Sequence, residues 1–203
     1  MGKDYFHLEA LKAQVVALYT FAKYNDFDMK EGHNAFTNDT PSEKCYTAVD
    51  EIMANGVYIS NGGQVACTLF HAMSAGVTTS NQNVWGQAVS YLSGGRKSYG
   101  DYLHPDFKQV VTLTSEELKS IITAKTGSAP TGDPATWISI VNHDRCVRED
   151  IGYVSKINVN GKLYSGYDFR SDIMSGKLRS HCFTIEYIPD AVTTAPSTSA
   201  VTP

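Results

Sequence analysis

Apolar residues recur at spacings of three and four near the start of the chain: Leu8, Leu11, Val15, Leu18 and Ala22. That rhythm predicts a helix from His7 to Tyr24 with one buried stripe. Glu9 falls well away from the stripe. Lys12 lies on its flank one turn beyond, within pairing distance of Glu9. "NAFTNDT" reads as a loop. "TPSEKCYTAVDEIMANG" predicts a second helix, with Thr40 as N-cap, Pro41 at the first helical position and Glu43 completing a capping box. Asn55-Gly56 stops it.

The period then shortens. "VYIS" and "QVACTLFHA" flank a turn at Asn61-Gly62 and predict a hairpin. "SAGVTTSNQNVWGQ" is polar, rich in small residues, and reads as a functional loop. Thr114 and Glu117 open another capped helix, "SEELKSIITAK", which Gly127 ends. "TGSAPTGDPAT" is a linker-like loop. "WISIVN" predicts a strand and "YVSKINVNGKLYSG" a hairpin turning at Asn160-Gly161. "YDFRSDIM" predicts a short helix and "HCFTIEYI" a last strand. Helices and hairpins mix without regular alternation, so the expected class is α+β. After Pro189 the chain becomes "DAVTTAPSTSAVTP", a composition that cannot bury a core and reads as a tail or linker.

At 203 residues the chain suits one domain with a real core. Its 17 basic and 21 acidic side chains give a net charge of −4, which is no footprint for nucleic acid or an anionic membrane. No apolar run approaches the roughly 18–20 residues of a membrane span. Met1 is followed by Gly-Lys-Asp-Tyr rather than by a signal peptide, which points to a cytoplasmic protein or to a piece of a longer exported one. Twelve tyrosines are many, and tyrosine suits half-apolar, hydrogen-bonding surfaces such as sugar clefts.

Candidate chemistry is sparse. No phosphate loop, GxGxxG, HExxH or GxSxG is present. Cys45, Cys67, Cys146 and Cys182 are widely spaced with no CxxC; they fit buried thiols or one or two disulfides equally on spacing. A cysteine nucleophile has no local signature in its favour. His33 with Cys45, and His71 with Cys67, are the nearest pairs to a metal site, against a simpler reading as loop and strand residues. His71 closes an expected strand beside Ser74, Gly76, Thr78 and Trp85, a polar and aromatic stretch that could face a sugar chain. Arg170, Arg179 and Ser180 could grip an anion or lock the fold.

Four segments, in order, resemble one family. "EALKAQVVALYTFA" (9–22) is similar to the "EALKAQAVAARTYA" segment of the SpoIID/LytB family, which holds stage II sporulation protein D and the amidase enhancers of bacterial cell walls. "LFHAMSAGVT" (69–78) resembles its "FHSxSGGxT", and "VWGQAVSYL" (84–92) its "VWGxxxPYL". "SGYDFRSDIMSGKLRSHCFTI" (165–185) resembles its closing "SGxxfRxxLxLrSxxF". The resemblance covers about 1–188 and leaves 189–203 as the tail.

The resemblance implies a single α+β domain around a glycan cleft, in a secreted or envelope-associated protein. Its partners would be peptidoglycan glycan strands and a cell-wall amidase. The implied activity is lytic transglycosylation: cleavage of MurNAc–GlcNAc bonds in peptide-free glycan to 1,6-anhydro ends, with no cofactor required. One glutamic acid can do this, donating to the leaving oxygen and then accepting the C6 hydroxyl proton, provided its pKa is raised by an enclosed site. The alternative is a glycan-binding or amidase-activating module without chemistry. In the family the catalytic glutamate precedes the first helix in an "E-M" motif; Met1 matches that methionine, so the glutamate would fall just before residue 1 and the domain would lack its N-terminal part. Glu9 is then the nearest carboxylate, with Lys12 beside it as a second catalytic candidate. The substrate-binding candidates are Gln14, Tyr19 (where the family has arginine), His71, Ser74, Thr78, Trp85, Arg170, Arg179 and Ser180. Some members also carry a zinc site whose outer ligands match His33 and Cys45. Its intermediate positions fall on Asp39 and Lys44, and a protonated lysine is a poor ligand, so a complete site is not expected.

Overall fold

A computed structural model describes residues 6–28, 40–148 and 151–189. The backbone gathers into two compact units, Met1–Ala72 and Met73–Pro203. Among the described residues no helix is long and apolar enough to cross a membrane. The class is α+β, as the pattern predicts, with helices beside two small antiparallel sheets.

The first unit contains α1 (Leu8–Tyr24), α2 (Glu43–Asn55) and a short ladder of β1 (Ser60–Asn61) with β2 (Gln64–Val65). Its helices pack on each other. Helix α1 is not buried along one stripe. Leu11 and Thr20 are its buried residues, nine positions apart and so on opposite sides of a 3.6-residue helix. The Thr20 hydroxyl donates to Val16 O at 2.6 Å and accepts Ile59 N at 3.0 Å, while the Thr68 hydroxyl donates to Ala17 O at 2.7 Å. These bonds tie the hairpin segment to α1. Helix α2 starts later than expected: Ser42, not Thr40, is its N-cap, without a side-chain cap bond, and no capping box forms. Gly56 ends it in the left-handed conformation, as read. The hairpin turns on Gly62-Gly63, both at positive φ, one residue beyond Asn61-Gly62, and the strands are two residues each.

The second unit is built on a three-stranded sheet in the order β3 (Ile138–Arg148), β4 (Ile151–Val159), β5 (Lys162–Tyr164). Asn160 and Gly161, both at positive φ, make the β4–β5 turn at the expected place. Helix α4 (Ser115–Thr126) is bounded as its sequence dictates. Thr114 and Glu117 form a reciprocal capping box, and Gly127 is a left-handed C-cap. Counted from the start of the unit, α3 (Asn81–Trp85) precedes α4 (Ser115–Thr126), and α5 (Gly166–Asp168) follows the sheet and runs into a π-turn at Phe169–Ile173. The core joins Ile122 of α4, Trp137 just before β3, Val154, Ile157 and Val159 of β4, and Phe169, Ile173 and Met174. The segment expected as a last strand, "HCFTIEYI", is not one. It touches the sheet through a single bridge, Tyr153 with Cys182, and Val154 N donates to His181 O at 2.9 Å. Its apolar positions are used one at a time: Phe183 packs on the core, while Ile185, Tyr187 and Ile188 are exposed.

Candidate functional site: an aromatic-walled cavity in the second unit

Irregular backbone builds the site. Strand β3 pairs with β4 in steady register from Ile138 to Ile140, then shifts between Ile140 and Asn142, and again between Asn142 and His143. A regular strand sends alternate side chains to opposite faces; a bulge breaks that alternation. Hence three successive residues, Asn142, His143 and Asp144, line the same cavity.

Opposite elements are pinned to this bulge. One oxygen of Asp144, Oδ2, accepts Thr79 Oγ1 at 3.0 Å, Ser80 Oγ at 3.2 Å and Ser80 N at 3.4 Å. Ser80 in turn caps α3, its hydroxyl accepting Asn83 N at 3.1 Å, and Asn83 Nδ2 donates to Thr79 Oγ1 at 2.9 Å. The five-residue helix ends at Trp85, followed by Gly86 as a left-handed C-cap. Trp85 is left 54% exposed, its ring centroid 6.3 Å from that of Tyr167.

Tyr167 and Asp168 come from α5, held against β4 because residue 166 has no side chain. A Cβ there would lie 2.1 Å from Val154 O. Ser165 caps this turn, accepting Asp168 N at 3.0 Å. Behind Tyr167 lies His181, 8% exposed, its ring 4.9 Å from Tyr153 and 6.3 Å from Tyr167. Burial, and secondarily the charge of Arg170, push the His181 imidazole down to about 4 against the opposing pull of Asp144, so the ring is neutral at pH 7.

The resulting cavity, about 680 Å³, is lined by Trp85, Tyr167, Gln82, Asn83, Asn142, His143, Ser155, Ser165, Asp144 and Asp168 among others. The size and the mix of rings with a few polar groups are those of a small-molecule or oligomer subsite. His143 Nε2 is buried without a hydrogen-bond partner among the described residues.

The other residues singled out from sequence divide between the two units. In the first unit Glu9 is exposed and its Oε1 accepts Lys12 Nζ at 2.7 Å; that hydrogen bond and the lysine charge hold the carboxyl below its usual range. A proton donor needs the opposite direction. Lys12 also reaches Glu51 at 2.6 Å, and these bonds, Glu51 first, raise its pKa and keep it cationic. Glu51 escapes a sequence reading because it sits on another helix. Gln14 Nε2 is buried and unpaired among the described residues, Tyr19 stacks 6.0 Å from Phe27, and His71 is exposed. His33 and Asp39 lie outside the described residues. Cys45 accepts a 3.5 Å contact from the Ser42 hydroxyl, and Lys44 Nζ donates to Phe6 O at 3.1 Å. No cluster of three or more His, Cys, Asp or Glu side chains that could hold a metal occurs among the described residues.

In the second unit Trp85 alone of the expected binding residues lines the cavity. Ser74 is buried; its hydroxyl donates to Asp101 Oδ2 at 2.7 Å and accepts Gly76 N at 3.1 Å. Thr78 bonds Arg96 through its backbone and its hydroxyl. Arg170 Nε donates to Leu178 O at 3.0 Å, Arg179 pairs with Asp106 at 3.2 Å, and Ser180 accepts Cys182 N at 3.0 Å. These groups hold the fold together. Asp144 was missed because no spacing rule reveals a bulge, and Tyr167 and Asp168 because the approach of Gly166 to Val154 is not local; the "SGYD" cap signal at Ser165 was the available clue.

A scan of protein-family models finds no match to this sequence, and a search of curated proteins finds none either.

Proposed function

We propose that this chain is a peptidoglycan-binding domain of the SpoIID/LytB kind, with the cavity of the second unit as a subsite for a glycan strand. The observation that carries the reading is the Trp85–Tyr167 wall, its tryptophan exposed, in a cavity lined also by hydroxyl, amide and carboxylate groups. Sugars present apolar ring faces and equatorial hydroxyls, and an aromatic ring beside hydrogen-bonding groups complements both. The motif resemblance supplies the polymer; an extracytoplasmic location and a cell-wall amidase as partner follow from it. Purified peptide-free glycan strands provide the test. Binding by the chain, lost in Trp85→Ala with the fold intact by circular dichroism, supports the domain's role; equal binding by Trp85→Ala refutes the cavity as the subsite.

Carboxylates on the cavity wall, Asp144 and Asp168, favour a second reading, lytic transglycosylation, which needs one of them. One carboxyl group, protonated first, can serve as donor to the leaving oxygen and then as base toward the C6 hydroxyl. Mass spectrometry of the same strands reads this out, since each anhydro end is one water lighter than a hydrolysed end. Such ends, abolished in Asp168→Asn and retained in Glu9→Gln, would assign the chemistry to the cavity. Loss in Glu9→Gln alone would return it to the first helix. Binding without anhydro ends leaves the non-catalytic module.

A further inference from the structure

We propose that the cavity selects a sugar unit carrying a free, protonated amine, a de-N-acetylated glucosamine residue of a glycan strand, over its N-acetylated or carboxylate-bearing neighbours. The inference rests on the glycan reading above and deepens it.

Charge and surface chemistry agree here. Among the described residues the lining holds two carboxylates and neither lysine nor arginine. Its wall is a pair of aromatic rings, Trp85 and Tyr167, and a cation over such faces is attracted by the ring quadrupole, most strongly by tryptophan. Rings and carboxylates together are a receptor for an ammonium group. A carboxylate-bearing muramic unit would meet like charge with no counter-ion from the wall. An N-acetyl group would fill the space of the amine and cancel its charge.

The two carboxylates do different jobs. Asp144 is spent on the fold, its Oδ2 holding Thr79 and Ser80. Asp168 makes no side-chain hydrogen bond or ion pair among the described residues, and α5 holds it next to Tyr167. Asp168 is therefore the specificity residue, with Trp85 and Tyr167 as the faces on which the ammonium sits.

Calorimetric titration of the whole chain with glucosamine hexamers and with N-acetylglucosamine hexamers tests this at about pH 6, where the amine is protonated. The expected result is binding on the order of tenfold tighter for the free-amine oligomer. That preference should shrink severalfold in about 0.5 M salt and vanish in Asp168→Asn. Glu116→Gln, a carboxylate outside the cavity, should leave the preference intact and so separates site binding from general attraction to a chain of net charge −4. Equal or tighter binding of the acetylated oligomer overturns the amine preference while leaving the glycan reading standing. Binding of neither oligomer removes both. A lysine-rich peptide that outcompetes the glucosamine oligomer would make the cavity a peptide site and overturn the proposal.

Discussion

His181 shows how one side chain can set a property of the protein. Its ring is inserted among Tyr153, Tyr167 and the backbone of β4 with Nε2 unpaired among the described residues. The unfolded chain protonates this imidazole near pH 6.5, the folded one only at about 4. Between those values the unfolded state binds more protons, so stability declines as pH falls through that window and levels off below it. From pH 7 to pH 5 the loss is about 2 kcal/mol. Urea midpoints of the wild type and His181→Phe at both pH values check it: the variant should lack this part of the pH dependence, and identical pH slopes would refute it. At the same scale, Glu9 and Lys12 were legible as a surface pair from their spacing, and the pair forms. What the spacing could not give was Glu51, a second acid brought to Lys12 by the packing of α2 on α1.

Some limits written in local chemistry were read correctly. The Thr114–Glu117 box, Gly127 and the Asn160-Gly161 turn need only a few neighbouring residues to form, so sequence suffices. Thr114→Ala should therefore cost about 1 kcal/mol by thermal or urea unfolding. Elsewhere the reading slipped. The α2 cap moved from Thr40 to Ser42, the first hairpin turned one residue beyond Asn61-Gly62, and "HCFTIEYI" met β4 at one bridge, on the stretch that β5 leaves unpaired, instead of forming a strand. Gly166 is the clearest tertiary requirement. Gly166→Ala drives a methyl into the Val154 carbonyl, and α5 or the sheet must shift. We expect a loss of roughly 2 kcal/mol or more. Because α5 carries Tyr167 and Asp168, the proposed glycan binding should weaken even at temperatures where the variant is folded. Wild-type affinity in a folded variant would show that the cavity tolerates the shift.

Across the whole molecule, ligand binding and stability are linked. A glycan oligomer that binds only the folded chain should stabilise it by about 1.4 kcal/mol when present at ten times its dissociation constant. Thermal melts should show the shift in the wild type and not in Trp85→Ala; a shift of equal size in both would place the binding surface elsewhere. The charge balance bears on the same experiment, since neither the overall acidity nor the lining attracts polyanions. The amino-acid sequence by itself determined the α+β class, the α4 caps and the Asn160-Gly161 turn, the lack of a membrane-spanning helix among the described residues, and Trp85 as an aromatic worth watching. All of these depend on short-range periodicity or on composition. Only the tertiary structure decided that Ser74, Thr78, Arg170 and Ser180 spend their polar groups on the fold. It also decided that a bulge turns Asn142, His143 and Asp144 to one side, and that a bare glycine lets Tyr167 and Asp168 join Trp85. Those outcomes depend on register shifts and close backbone approach between segments more than sixty residues apart in part, as between Thr79 and Asp144, which no local pattern encodes.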